Sequence, residues 1–227
     1  MNQQASERTG QRLTAWQRML ERLYEVEAGW DVSDFLLTDE RFVQLIEGRA
    51  HRPTGEKLLI KEIDGELNVS LFLDRELLAR LDASPPEQSL HSHNLEDFWM
   101  ALEGVSHFLY LGHNARYDRP ISRLEMELQA EVDKFMLANL LLARQQGHTP
   151  GRQIHHALFH RPRFDSRLSH AEGQRYQRAS CYAGRYCRRL MDRMRHRVAA
   201  PLNRELRRFY RLHRHHKLNY IDATAHA

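Results

Sequence analysis

Hydrophobic positions recur at helical steps along most of this chain. Between residues 6 and 29, Leu13, Trp16, Leu20 and Leu23 follow one another at intervals of three and four while Arg12, Arg18, Glu21 and Arg22 fall elsewhere, so the pattern predicts an amphipathic helix that Gly29 stops. A short helix is expected from about Asp39 to Glu47, capped by Thr38 or Asp39, with Phe42, Leu45 and Ile46 as its buried side and Gly48 at its end. Asp74 is placed to cap another short helix running to about Leu81. Ala83-Ser84-Pro85-Pro86 then breaks regular structure, which makes 83–93 the best candidate for a mobile interior loop. From Asn94 a strong helix is expected to about Leu111, with Glu96 and Asp97 in its first turn and Leu95, Phe98, Leu102, Val105 and Leu109 on one side. Residues 120–144 read as a further helix. Its second half, Phe135 to Ala143, is apolar nearly all round, as in a helix enclosed by others, so it is the expected core helix.

The period changes to two between residues 57 and 73. Two β-rich runs, Lys57 to Ile63 and Glu66 to Leu73, flank Asp64-Gly65, a pair that suits a type I′ hairpin turn. Leu67, Val69, Leu71 and Leu73 give the second strand one apolar face. Since a two-stranded ribbon is marginal alone, it must lie on a helix or gain a third strand that the sequence does not reveal.

Gly147 and Pro150 separate this region from the remainder. There a helix from Pro150 to His160, a loop over 161–169, a long helix from about His170 to Val198 and a last helix from Pro201 to about Lys217 are expected. In the last of these Leu202, Leu206 and Phe209 face inward, with His213 and His216 continuing the line. The fold class is therefore mainly α, a multi-helix bundle with one small β-hairpin at 57–73. Residues 1–147 are expected to form a helical core, 150–217 a second helical subdomain packed on it, and 218–227 a flexible tail.

Charge divides along the same line. Residues 144–217 carry 19 Lys and Arg against 4 Asp and Glu, whereas residues 1–143 carry 15 against 25. The 227 residues, 41% hydrophobic and 28% charged, suit a globular rather than a disordered chain. No apolar run approaches the roughly 20 residues that span a bilayer. The N-terminus lacks a secretory pattern, so a cytoplasmic location is expected by default. Cys181 and Cys187 are too far apart on a helix to bridge, and read as reduced structural thiols.

On the long C-terminal helix Arg178, Tyr182, Arg185, Arg189 and His196 share a stripe flanked by Arg175 and Arg193. Eighteen of the 19 basic residues in 144–217 are arginine, whose planar fork binds phosphate or carboxylate in a bidentate way. Charge for counterion release with rings for stacking is what RNA or another polyanion would need. A solvated face, or one paired with the acidic half, explains the same residues. So does a face that docks an acidic protein or a second copy of the chain.

Histidine and carboxylate spacings offer a different chemistry. His156 and His160 are four apart, a spacing that lets two imidazoles reach one metal, though no glutamate lies between them as in metalloprotease helices. Glu103 and His107 repeat the spacing, with Glu96 on the same side, and Glu127 and Glu131 carry it on the next helix. Facing helices of this kind suit a divalent metal, the one cofactor the sequence suggests, although the Glu-x-x-His pairs of di-iron bundles are missing. Glu131 and Lys134 read more simply as an exposed i,i+3 pair. Arg211 and His216 have an Arg-x4-His spacing similar to the catalytic motif of HEPN-type helical ribonucleases. The resemblance covers six residues, with Leu212 where that family usually has a polar side chain; Arg163 to His170 has a longer spacing. No Gly-rich phosphate loop or Gly-x-Ser-x-Gly elbow appears, and no catalytic residue is assignable. Three readings stand: polyanion binding through the Arg face, a metal-dependent or acid-base enzyme with a His/Glu site between helices, and an interaction protein.

Overall fold

The computed structural model describes residues 3–48, 52–64, 66–160, 169–195 and 199–223. Among these are nine α-helices and one small three-stranded sheet, a mainly α fold with a single β segment. The helices are α1 (Gln3–Tyr24), α2 (Glu40–Glu47), α3 (Arg75–Ala83), α4 (Leu95–Ala115), α5 (Arg123–Gln146), α6 (Gly151–Phe159), α7 (His170–Arg195), α8 (Ala199–Arg211) and α9 (Arg214–Ala223). The strands are β1 (Leu36–Leu37), β2 (Glu56–Ile63) and β3 (Glu66–Leu73).

The hairpin forms where its pattern predicts, with Ile63 opposite Glu66 and Glu56 opposite Leu73. Asp64 takes a positive φ of 53°, as a type I′ turn needs; Gly65 lies outside the described residues. The missing third strand is β1, two residues that pair parallel to β3 through Leu36 and Leu71. So short a strand leaves no period to detect. One face of the sheet, with Leu71 and Leu73, joins the main core. The other sets Phe72 and Leu59 against Val43 of α2.

That contact corrects the expected orientation of α2. Val43 is its buried residue, whereas Phe42, Leu45 and Ile46 are exposed by 55%, 79% and 54%. A helix of two turns laid on the outer face of so small a sheet buries a single position, and the apolar face chosen by periodicity points outward.

The main core runs through α1 and α3 to α9, with α5 enclosed as its all-round apolar sequence requires: Val132, Phe135, Met136, Leu137 and Ala138 are each almost fully buried. Ser122 and Glu125 cap α5 reciprocally, the Ser122 Oγ accepting from the Glu125 amide while the Glu125 carboxylate accepts from the Ser122 amide. Gly147 ends it in a left-handed conformation, φ 74°.

Three further expectations change. Helix α4 continues through Gly112, His113 and Asn114 to Ala115, because Gly112 lies under Ala28, where a Cβ would come within 3.2 Å of the Ala28 side chain. The interior loop of 83–93 is tied down rather than loose: the Asn94 amide donates to the Ser84 and Ser89 carbonyls, and the Gln145 side chain donates to the Pro86 carbonyl and accepts from the Leu90 amide. Asn94 is thereby spent on the loop and makes no side-chain cap to α4. The final helix breaks at Leu212 and His213 into α8 and α9. His213 and His216 are exposed, and residues 218–223, expected in a flexible tail, complete α9 with Ile221 in the core; 224–227 lie outside the described residues. The expected loop of 161–169 falls outside them too, apart from Ser169.

Candidate metal centre

Helices α4 and α5 pack side by side, and their four-residue spacings bring Glu103 and His107 of α4 opposite Glu127 and Glu131 of α5. The alternation of β2 adds a third wall. Glu56 pairs with Leu73 in the ladder and shares the face of Leu58 and Leu71, so it points at α4 with the apolar residues of that face. Gly104 makes this approach possible: a Cβ there would lie 3.0 Å from Glu56 Cγ and 2.5 Å from Leu71 Cδ1. From α7, Arg175 reaches Glu127 at 3.6 Å.

His107, 6% exposed, stands at the centre. Its Nδ1 is 3.7 Å from Glu56 Oε1 and its Nε2 is 3.4 Å from Glu127 Oε2, both too long or too poorly aligned for hydrogen bonds. The buried Nε2 therefore has no hydrogen-bond partner, and neither does Glu56 Oε1 or Arg175 Nε. One ligand atom each from Glu56, Glu103 and His107 lie within 4.8 Å of one another, the group of three that could hold an ion among the described residues. Bond lengths of about 2.0–2.6 Å to Zn²⁺, Mg²⁺ or Ca²⁺ put neighbouring ligands roughly 3–4 Å apart, so a set that spans up to 4.8 Å closes around a cation only by drawing inward.

No family model, curated protein or solved structure matches this chain. The site is read from its own geometry.

Its electrostatics are those of a buried anionic hole. Burial works against a charge on His107, yet Glu127 and Glu56 outweigh it and hold the imidazole well above its ordinary pKa. Burial raises Glu56 and Glu131, whereas Lys134 overcomes the burial of Glu103 and lowers it. Lys134 bonds Glu103 directly and Glu131 at 2.9 Å. The Glu131–Lys134 pair is thus not on a wet surface: Lys134 is buried and shared with α4. Four carboxylates face two permanent cations, Lys134 and Arg175. A divalent ion supplies the missing two charges with His107 neutral; two protons, one on His107 and one on a carboxylate, are the competing state.

The other expected ligands lie elsewhere. His156 and His160 stack on each other at 4.6 Å with their planes 16° apart, outside any such group among the described residues. His155 is buried instead, its Nε2 2.8 Å from the Gly184 carbonyl. Of the Arg stripe, Arg185 pairs with Asp222 at 2.8 Å, Arg193 with Glu205 at 2.7 Å, Arg189 with Glu205 at 3.7 Å, and Arg175 with Glu127. Tyr182 is half-buried against the core with Arg185 over its ring, Arg178 is exposed, and His196 lies outside the described residues. Arg211 donates to the Glu25 carbonyl at 2.7 Å, whereas His216 is exposed on α9. Arg163 is not among the described residues.

Sequence spacing identified Glu103, His107, Glu127 and Glu131 as same-side pairs but missed Glu56, which stands one residue before the expected strand. The hairpin register was the available signal: extending the ladder by one pair puts a carboxylate on the apolar face.

Proposed function

We propose that the protein is a divalent-metal enzyme in which Glu56, Glu103 and His107 hold the ion and Glu127 handles protons. The observation that carries this is the His107 imidazole, buried, centred among carboxylates and left without a hydrogen bond on Nε2. Buried polar atoms in folded proteins are almost always bonded, and beside this imidazole Glu56 Oε1, an unbonded buried atom within the ligand set, asks for an occupant. The donors are oxygen and imidazole with no thiolate, which favours Mn²⁺, Fe²⁺, Zn²⁺ or Mg²⁺ over softer metals. A cation so placed would supply Lewis acidity and lower the pKa of a coordinated water.

The chain's own residues do the rest. Lys134 fixes Glu103 in position and balances one charge. Glu127, one of two carboxylates outside the ligand set and the one beside His107, faces Arg175 and is placed to take up and return a proton. The RNA-binding reading has less to draw on, since four arginines of its stripe are engaged in ion pairs with Glu127, Glu205 and Asp222.

Elemental analysis of the purified protein after incubation with Mn²⁺, Fe²⁺, Zn²⁺ and Mg²⁺, with melting curves before and after chelation, tests the proposal. About one equivalent of metal and a lower melting temperature with chelator are expected, both lost in Glu103→Gln and in His107→Ala. Substoichiometric metal with an unchanged melting curve would mean that the site is filled by protons.

A further inference from the structure

We infer that the open cavity where α1, α4 and α8 end binds a phosphate-bearing small molecule. Its volume, about 660 Å³, lies within the range of roughly 300–1,000 Å³ typical of small-molecule sites. Five arginines line it, Arg18, Arg22, Arg116, Arg119 and Arg211, against three glutamates, Glu21, Glu25 and Glu27.

The pairing within the wall shows which charges remain. Arg18 is spent on Glu21 at 2.8 Å, and Arg116 lies 3.5 Å from Glu27. Glu25 is neutralised by Arg207 at 2.7 Å. Arg211 donates to the carbonyls of Glu25 and Arg207, and Arg207 to that of Leu23, so the partial negative charge at the ends of α1 and α8 already has its cations. Arg22 and Arg119 are left without a carboxylate partner among the described residues; the Arg119 guanidinium lies 5.3 Å over the Tyr117 ring.

Two further features accompany these charges. His113 at the cavity wall is pushed below the ordinary imidazole pKa, first by burial and then by the same arginines Arg211, Arg119 and Arg116. Among the described residues, three other than glycine have positive φ, and one of them, Glu25 at 51°, lines this cavity. Such backbone is costly and concentrates at functional sites. Two free guanidinium forks, with an exposed Tyr117 ring beside them, suit a phosphate or diphosphate group better than a lone carboxylate.

Calorimetric titration of the full chain with sodium pyrophosphate, in EDTA and at about 50 mM salt, reads this directly. Saturable one-to-one binding is expected, weakened about tenfold or more in Arg22→Ala/Arg119→Ala. Both side chains lie outside the core, and unchanged circular dichroism would confirm the fold of the variant. Glu103→Gln, at the candidate metal centre and with its circular dichroism unchanged, is expected to bind pyrophosphate as the parent does. Absence of binding up to about 10 mM, equal affinity in the double arginine variant, or loss in Glu103→Gln would overturn the inference.

Discussion

Lys217 has no solvent exposure, and its ammonium nitrogen meets one hydrogen-bond acceptor, Gln129 Oε1 at 2.8 Å, among the rings of Tyr110, Phe209 and Tyr210. Burial depresses its pKa to about 7 from an ordinary 10.5. Between those values the unfolded chain holds a proton that the folded chain does not, so this residue makes stability rise with pH from about 7 to 10.5. Below pH 7 the full penalty, on the order of 5 kcal/mol, is present. Asp133, two hydrogen bonds away through Gln129, acts in the opposite sense. Burial raises it to about 6 from 3.8, so its contribution is lost as pH rises through that interval. The two groups together place a stability minimum between pH 6 and 7. Lys217→Met is expected to melt higher than the parent at pH 7 and to show a flatter dependence between pH 7 and 10. A variant that melts lower, with the parent's slope, would show that the aromatic cage stabilises the charged form.

At the scale of elements, Gly104 decides how closely the sheet approaches α4. Alanine is favoured over glycine within a helix by about 1 kcal/mol, yet here the added Cβ would meet Leu71 Cδ1 at 2.5 Å and Glu56 at 3.0 Å. Overpacking of this kind costs about 1–3 kcal/mol, so Gly104→Ala should lower the denaturation midpoint and displace Glu56. A variant as stable as the parent would show that the hairpin shifts freely. Helix α2 gives the converse case, because Phe42, Leu45 and Ile46 are exposed. Leu45→Glu should leave stability within about 0.5 kcal/mol of the parent in chemical denaturation, and a larger loss would mean that this face is covered in solution.

For the whole molecule, the polarised charge is partly settled within the fold. Glu205 receives Arg193 and the Tyr220 hydroxyl, at 2.7 Å from each, and so joins α7, α8 and α9. Burial opposes its charge, but these partners outweigh it and lower its pKa, so its contribution is present above the ordinary 4.5 and lost as pH falls through the lowered value. Glu205→Gln should cost about 1–3 kcal/mol at pH 7 and remove that part of the acid transition. An unchanged pH profile would show the pairs to be energetically idle. The helices and hairpin were legible because each carries its own period over eight residues or more. The third strand was not, at two residues, nor was the outward turn of α2, which depends on where the sheet's outer face lies. At the candidate metal centre the same-face pairs on α4 and α5 followed from helical spacing, whereas the burial of Lys134 and the arrival of Glu56 needed knowledge of which helix faces which strand. The fate of the Arg stripe was equally invisible, because Glu205 and Asp222 meet it only after the chain turns back twice.

Glu56 gives the centre a mechanical meaning as well. It is the candidate ligand that the hairpin contributes, while Glu103 and His107 belong to the bundle, so an ion shared among them would fasten sheet to helices at a single point. Amide exchange along β2 and β3 would then slow on loading, while the interior of α5 would exchange as before, and the hairpin itself would become the gauge of occupancy.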